Sequence, residues 1–209
     1  MTALAERTSL PTKARSPVSS RASEIATGPG RGRVLVMDVD GETLGLGDGT
    51  GVPVRRIRAE DAAALQRLVS RSSDKSIELR FLGSLKELSD SMARRFADVD
   101  GKNKFALVAL DPENPDEIVG VVRYGREGDD DGAEYAALIE DRFQGRGLGM
   151  RLTRHLIEAA RENGIGHLYA LVMRENVRML GLLRSLDLPE RIRWQDGAER
   201  VEIDLRSGV

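Results

Sequence analysis

The chain has 209 residues, 40% hydrophobic and 32% charged, which is enough to bury the core of one domain. Its 32 basic and 34 acidic residues leave a formal net charge of −2, and only 4% of residues are aromatic. This argues against a protein that coats nucleic acid or stacks on its bases. The absence of cysteine excludes disulfides, thiolate nucleophiles and cysteine-ligated metals, and we predict no metal site.

The sequence offers no segment that would hold it in a membrane. No run of about 18 apolar residues occurs, as a spanning helix would need. No apolar stretch follows the basic residues of the N-terminus, as a secretory signal would require. We therefore expect no membrane partner and a cytoplasmic location.

The first quarter of the chain divides into an arm and an extension. Residues 1–33 carry six basic and two acidic residues among Ser, Thr and Pro, which predicts a disordered basic arm. Residues 34–52 contain closely spaced glycines and predict a short, turn-rich N-terminal extension. Within it, the run from Asp38 to Thr43 resembles the DxDGT motif of haloacid-dehalogenase phosphatases. Because Glu42 breaks that spacing, we favour a hairpin or turn.

Regular patterns begin near residue 53 and continue to the end of the chain. A helix opens at Ala59, with Ala64, Leu65, Leu68 and Val69 on one side. An irregular region around 79–82 precedes a second helix that carries Leu85, Leu88, Met92 and Phe96. We also predict strands at 54–58, 105–110, 117–124, 133–139, 167–172, 191–194 and 200–205, and helices at 148–163 and 176–186. The class is α/β or α+β, antiparallel early with a βαβ unit late.

A glycine-rich turn, Asp141 to Met150, joins a strand to the long helix. Free amides at a helix start favour anions, and glycine lets the backbone approach a phosphate. A phosphate-binding P-loop would end in Gly-Lys-Ser/Thr, and this turn does not. A Rossmann fingerprint would need a third glycine where Met150 stands. The turn is therefore predicted to bind a nucleotide pyrophosphate, but its residues match neither of these two motifs.

The pattern Gln144-x-x-Gly147-x-Gly149 resembles motif A of the GCN5-related N-acetyltransferase (GNAT) superfamily. The order of elements from about 54 to 205 is similar to that family too. The resemblance implies a GNAT domain over residues 53–209, with a mixed, mostly antiparallel central sheet splayed at the cofactor site and flanked by helices. It further implies acetyl-CoA as the acyl donor.

The resemblance assigns two parts of the coenzyme to this chain. The pyrophosphate would bind the amides of residues 145–150, and the pantetheine would pair with residues 138–140 like an added strand. The Leu138 amide would stabilise the oxyanion. Arg146 would pair with phosphate. The implied cofactor-binding residues are Leu138, Ile139, Glu140, Gln144, Gly145, Arg146, Gly147, Leu148, Gly149, Met150 and Asn176; Asn176 equally fits a helix N-cap.

Acetylation of an amine requires a neutral nucleophile, hence a base. Glu134 lies ten residues before Gln144, a position that resembles the general-base glutamate of protein-lysine-acetylating GNAT enzymes. Alternation places it on the face of Ala136 and Leu138, where we expect its carboxylate to be desolvated. In many GNAT enzymes a tyrosine seven residues after the motif B asparagine acts as general acid. Asn176 resembles that asparagine, and this chain has Leu183 at the position of the tyrosine.

Several stretches are similar to the catalytic domain of protein lysine acetyltransferases that act on acyl-CoA synthetases. They are residues 80–82, 104–109, 118–124, 133–136 and 175–180. This implies transfer to an exposed lysine of a protein partner. Acetylation of a small amine and a non-catalytic acyl-CoA-binding module remain alternatives, as do a monomer and a homodimer.

Overall fold

The computed structural model describes residues 40–126, 128, 130–195 and 197–206. The predictions for residues 1–39, including the basic arm and the first two residues of the phosphatase-like run, lie outside the described residues. Within the residues that the structure describes, none of the helices has the length and hydrophobicity of a membrane-spanning segment.

One eight-stranded sheet organises the described chain, in the order β1-β2-β3-β4-β5-β6-β8-β7. The strands are β1 (Glu42–Gly45), β2 (Gly51–Arg56), β3 (Lys104–Leu110), β4 (Ile118–Gly125), β5 (Gly132–Ile139), β6 (His167–Val172), β7 (Glu190–Gln195) and β8 (Ala198–Asp204). The helices are α1 (Ala62–Arg71), α2 (Asp74–Phe81), α3 (Asp90–Ala97), α4 (Leu148–Glu162) and α5 (Val177–Arg184). Every neighbouring pair is antiparallel except β5–β6, so the mixed α/β class is confirmed.

Two apolar clusters cover the two faces of the sheet. On one face, α4 and α5 bury Leu152, Leu156 and Leu183 against the strands. On the other, α1, α2 and α3 bury side chains such as Leu68 and Ile77. Each fully buried aliphatic side chain of this size contributes about 1.5–3 kcal/mol relative to exposure. The two layers cover β4 and β5 at the centre of the sheet, where the candidate site lies.

The sheet extends further toward the N-terminus than residue 53, where we placed the domain boundary. β1 and β2 form a hairpin in which Glu42 pairs with Val54 and Gly45 with Gly51. Val52 and Val54 are buried because alternate residues of β2 face the core. The hairpin of β1 and β2 is therefore part of the sheet, since β2 also pairs with β3.

Helix α2 corrects our expectation of an irregular region around residues 79–82. Only Ile77 of α2 is buried, so the segment lacks the apolar stripe by which helices are recognised. Its start depends on Ser73, whose side chain accepts from the Ser76 amide. The next helix is also shorter than predicted: it begins at Asp90 after the cap Ser89, which leaves Leu85 and Leu88 in the preceding loop.

A buried ion pair ties β2 to the start of α1. Arg55 donates from both terminal nitrogens to Asp61, at 2.7 and 2.8 Å, and the Arg58 amide donates at 2.7 Å. Burial alone would raise the pKa of Asp61, but the hydrogen bonds from Arg55 and Arg58 hold it below its usual value. The carboxylate therefore stabilises the fold in its ionised form.

We expect Asp61→Asn to lower the free energy of unfolding at pH 7 by about 2–4 kcal/mol, because it leaves Arg55 buried without its anion. Since the folded-state pKa of Asp61 is depressed, its contribution is present above about pH 4 and is lost as the pH falls through the folded value. Urea unfolding at pH 7 and pH 3 measures this. The exposed Asp116→Asn is the control, with a change under about 0.5 kcal/mol; equal stabilities of the two variants at pH 7 would contradict the account.

Candidate active site

The cleft opens where β5 and β6 separate. The two strands pair in parallel over only three positions, Gly132–Glu134 against His167–Tyr169. β5 continues to Ile139 without β6 beside it, and α4 follows. The cleft between them has a volume of about 750 Å³ and is lined from Glu134 and Arg80 at one end to Gly147 and Asn176 at the other. This is the splay expected from the sequence.

The register of β5 decides which of its amides face the cleft. The Glu140 amide donates to the Val119 carbonyl at 2.9 Å, and Leu138 stands opposite Val121 two residues earlier. Hydrogen-bonded pairs alternate in an antiparallel ladder, so the Leu138 amide also faces β4. Our expectation that it would stabilise an oxyanion is wrong. The amides of Ala137 and Ile139 face the open side instead.

The turn before α4 presents unpaired amides. Gly145 and Gly147 have φ of +70° and +89°, a region that favours glycine. The first helical hydrogen bond runs from Arg151 to the Gly147 carbonyl, and no side chain caps this helix among the described residues. The amides of Leu148, Gly149 and Met150 therefore point out of the helix start without an intrahelical partner. Such a terminus carries partial positive charge and suits a diphosphate.

The side chain of Gln144 connects the glycine turn to neighbouring elements through hydrogen bonds. Its Nε2 donates to the Ile139 carbonyl at 2.8 Å and to the Ser76 hydroxyl at 3.1 Å, and its Oε1 accepts from Arg178. Asp141 accepts from the Ser73 hydroxyl at 2.7 Å on the same side. These bonds connect α2, the end of β5 and α5 around the cleft.

Two of the predicted cofactor-binding residues turn their side chains away from the cleft. Glu140 is buried and pairs with Arg71 at 3.1 Å and with Arg142. Arg146 donates to Asp48 and Thr50 of the β1–β2 turn, each at 2.7 Å. Hydrogen bonds from Thr50, together with Arg146, lower the pKa of Asp48 to about 2. Arg146 is thus held by an anion of this chain instead of being free for phosphate.

Asn176 lines the cleft and caps α5. Its Oδ1 accepts from the Met179 amide at 3.1 Å, which is the N-cap geometry. Leu183, at the position of the tyrosine in related enzymes, is buried in the core. No side chain at that position can protonate a leaving group.

Glu134 lies at the far end of the cleft from the turn. Its side chain is exposed, so the desolvation we expected for it is wrong. Two half-buried arginines that sequence reasoning did not assign to the site surround this end, Arg80 from α2 and Arg123 from β4. One signal was available, because Arg123 interrupts an otherwise apolar strand. Arg80 belongs to the helix that lacked an apolar stripe.

Among the described residues, no group of three or more His, Asp or Glu side chains converges as metal ligands. The arrangement instead joins free main-chain amides, an open strand edge and the exposed carboxylate of Glu134. These elements match the acyl-coenzyme A site that the sequence resemblance implies.

Comparison with known proteins gives the family. Residues 75–187 match the model of the acetyltransferase (GNAT) family. The chain is 35% identical over 142 residues to acetyltransferase PA5475 of Pseudomonas aeruginosa, covering 68% of this chain and 76% of that protein. It is similar to the crystal structure of the GNAT domain of S. lividans PAT, with 31% identity, a TM-score of 0.72, and coverage of 78% and 96% of the two chains.

A more distant structure shares the fold. The phosphinothricin acetyltransferase of Sinorhizobium meliloti, solved in complex with AcCoA, has 17% identity and a TM-score of 0.59, covering 73% of this chain and 88% of that one. The chain belongs to the GNAT family and is an N-acetyltransferase, as the turn at Gln144–Gly149 predicted.

Proposed function

We propose that this protein transfers the acetyl group of acetyl-CoA to the side-chain amine of a lysine in a partner protein, such as an acyl-CoA synthetase, with Glu134 as general base. The observation that carries the proposal is the exposed carboxylate of Glu134 on β5, three residues before the first cleft-facing amide. The 31% identity to nearly the whole GNAT domain of S. lividans PAT supports it.

The residues present fit acetyl-CoA. The amides of Leu148, Gly149 and Met150 would hold the diphosphate, and Gly149 keeps the approach open. A Cβ on Gly149 would lie 3.3 Å from Leu182 and would narrow the cleft. The open edge of β5 at Ala137 and Ile139 would pair with the amide groups of the pantetheine. Bound there, acetyl-CoA supplies a thioester carbonyl and a thiolate leaving group.

The chain's own groups account for the proton and the charge. A lysine amine has a pKa of about 10.4 and enters largely protonated, so Glu134 accepts its proton. The amine nitrogen then bonds to the thioester carbon while cleft-facing amides of β5 donate to the carbonyl oxygen. The carbon–sulfur bond breaks, the thiolate leaves, and the second proton of the nitrogen passes to water as the amide forms. A thiol with a pKa of about 8.5 needs no protein acid at this step, which is consistent with Leu183.

Exposure of Glu134 favours a protein acceptor. An exposed carboxylate at the rim of an open cleft is accessible to a lysine on a folded surface and returns its proton to water. A small-amine enzyme more often needs a pocket that encloses its acceptor. A cytoplasmic location and a monomeric or dimeric state accompany this proposal.

Incubation with labelled acetyl-CoA and a cell lysate, followed by identification of the labelled molecules, tests the acceptor. We expect label on lysines of a small set of proteins. Label found only in small molecules would replace the protein acceptor by a small amine. Saturable binding of acetyl-CoA without any labelled product would make the chain an acyl-CoA-binding regulatory module.

A further inference from the structure

Two guanidinium groups beside Glu134 have unused hydrogen-bonding capacity. Within the described part of the chain, the Arg80 side chain makes no hydrogen bond or ion pair, and its guanidinium lies 5.0 Å from the centre of the Phe81 ring. Arg123 donates to the Phe96 carbonyl at 3.0 Å, lies 4.8 Å from the Phe96 ring and forms no ion pair. A guanidinium has five donors, so most of them remain available on both side chains. Unpaired charge in a half-buried place is costly, and proteins seldom retain it without use.

The two arginines repel one another electrostatically. Burial lowers the pKa of Arg123 to about 10, and the neighbouring charge of Arg80 acts in the same direction. Burial also lowers the pKa of Arg80, while the negative charge of Glu134 acts in the opposite direction on both groups. No nitrogen of either arginine lies within 4.0 Å of a carboxylate oxygen in the described residues, so this repulsion is uncompensated at short range.

A small cavity lies between the two side chains. Its volume is about 30 Å³, and apolar residues such as Leu68, Val121 and Phe96 form most of its wall with Arg80 and Arg123. This is space for one or two water-sized groups. Arg80 and Leu138 line both this cavity and the main cleft, so the cavity adjoins the acceptor end. The stacked rings of Phe81 and Phe96, 6.5 Å apart, support the two guanidiniums from behind.

We propose that Arg80 and Arg123 form an anion subsite that binds a carboxylate of the acceptor, close to the amine that is acetylated. This rests on the proposed function and names a feature of its substrate: the target lysine is flanked by Asp or Glu. Glu134 takes the amine and the two arginines take the carboxylate, so the site matches a pair of opposite charges on the acceptor. Planar guanidiniums suit this role because they bind carboxylates through paired hydrogen bonds.

Matched peptides test the subsite. Each carries one lysine, and Glu or Gln stands at −2, −1, +1 or +2 from it. We expect wild-type kcat/KM to be about 10-fold higher for Glu than for Gln at one or more of these positions, a typical gain for a charge-assisted hydrogen bond. In Arg80→Gln and Arg123→Gln the ratio should fall to about 1. Affinity for acetyl-CoA should stay at the wild-type value in both, which shows that each variant is folded.

Free lysine also carries a carboxylate near its amine, so it is a second possible source of the anion. Comparing kcat/KM for lysine with that for lysinamide, which lacks the carboxylate, tests this source. Use of lysine alone, with no peptide acetylated, would retain the subsite while ending the protein-lysine proposal. If no acceptor is acetylated, thermal unfolding in succinate and in chloride at equal ionic strength replaces the kinetic assay. A higher Tm in succinate for the wild type but not for Arg80→Gln supports the subsite. Equal kcat/KM for Glu and Gln peptides, a preference that survives both substitutions, or no effect of succinate would overturn it.

Discussion

Replacing Glu134 by glutamine is expected to lower kcat roughly 10²- to 10³-fold at pH 7, the usual contribution of a positioned base. Glutamine keeps the size of the side chain but cannot accept a proton. The deficit should shrink as the pH approaches about 10, because the free amine then makes up a growing share of the acceptor. Steady-state kinetics from pH 6.5 to 10, with acetyl-CoA affinity measured in parallel, check this.

Glu113→Gln is the matched control for Glu134→Gln. It removes the same charge from the exposed β3–β4 turn, at a residue that does not line the cleft, and should leave kcat unchanged. Wild-type affinity for acetyl-CoA in Glu134→Gln would show that only the chemical step is affected. Undiminished turnover in Glu134→Gln at pH 7 would remove this residue as the base.

A carboxylate placed on the glycine turn should have the second-largest effect. Gly147→Asp is expected to weaken acetyl-CoA about 30- to 150-fold, or about 2–3 kcal/mol, because the new charge stands beside the amides that would hold the diphosphate. The backbone at Gly147 has φ of +89°, and no atom lies within 4 Å of the place that a Cβ would take. Asp tolerates this backbone region better than most residues do. Calorimetric titration with acetyl-CoA measures the change.

Gly164→Asp is the control that distinguishes backbone strain from electrostatic repulsion of the diphosphate in Gly147→Asp. Gly164 has φ of +72°, also with open space around it, but lies beyond the far end of α4. It carries a comparable conformational cost without approaching the cleft, so acetyl-CoA affinity should stay within about 2-fold of the wild type. Equal loss of affinity in both variants would mean that the turn matters only for folding.

The elements recognisable from the sequence were those with local signals. Helix α1 has an uninterrupted apolar stripe, and α4 begins at a glycine turn whose spacing is typical of one family. Helix α2 lacked both signals, because Ile77 is its one buried residue and polar contacts of Ser73 and Ser76 with Asp141 hold its start. Such contacts join residues more than 60 positions apart, and no periodicity reports them.

The candidate site divides in the same way. The glycines and Asn176 follow a spacing motif, and the structure places them along the cleft. The orientation of the Leu138 amide depends on its pairing with β4, which a pattern of side chains does not reveal. The meeting of Arg80 and Arg123 requires α2 to pack on β5 and β4 to lie beside it, so their shared cavity is a product of the tertiary fold.

The central claim is that main-chain amides at Leu148–Met150 bind the diphosphate of coenzyme A. Calorimetry comparing acetyl-CoA with S-acetylpantetheine, which keeps the thioester arm but has no diphosphate, tests it most directly. We predict a dissociation constant for acetyl-CoA on the order of micromolar, and binding of S-acetylpantetheine at least about 100-fold weaker. Equal affinity for the two compounds, or no heat with millimolar acetyl-CoA, would contradict the account.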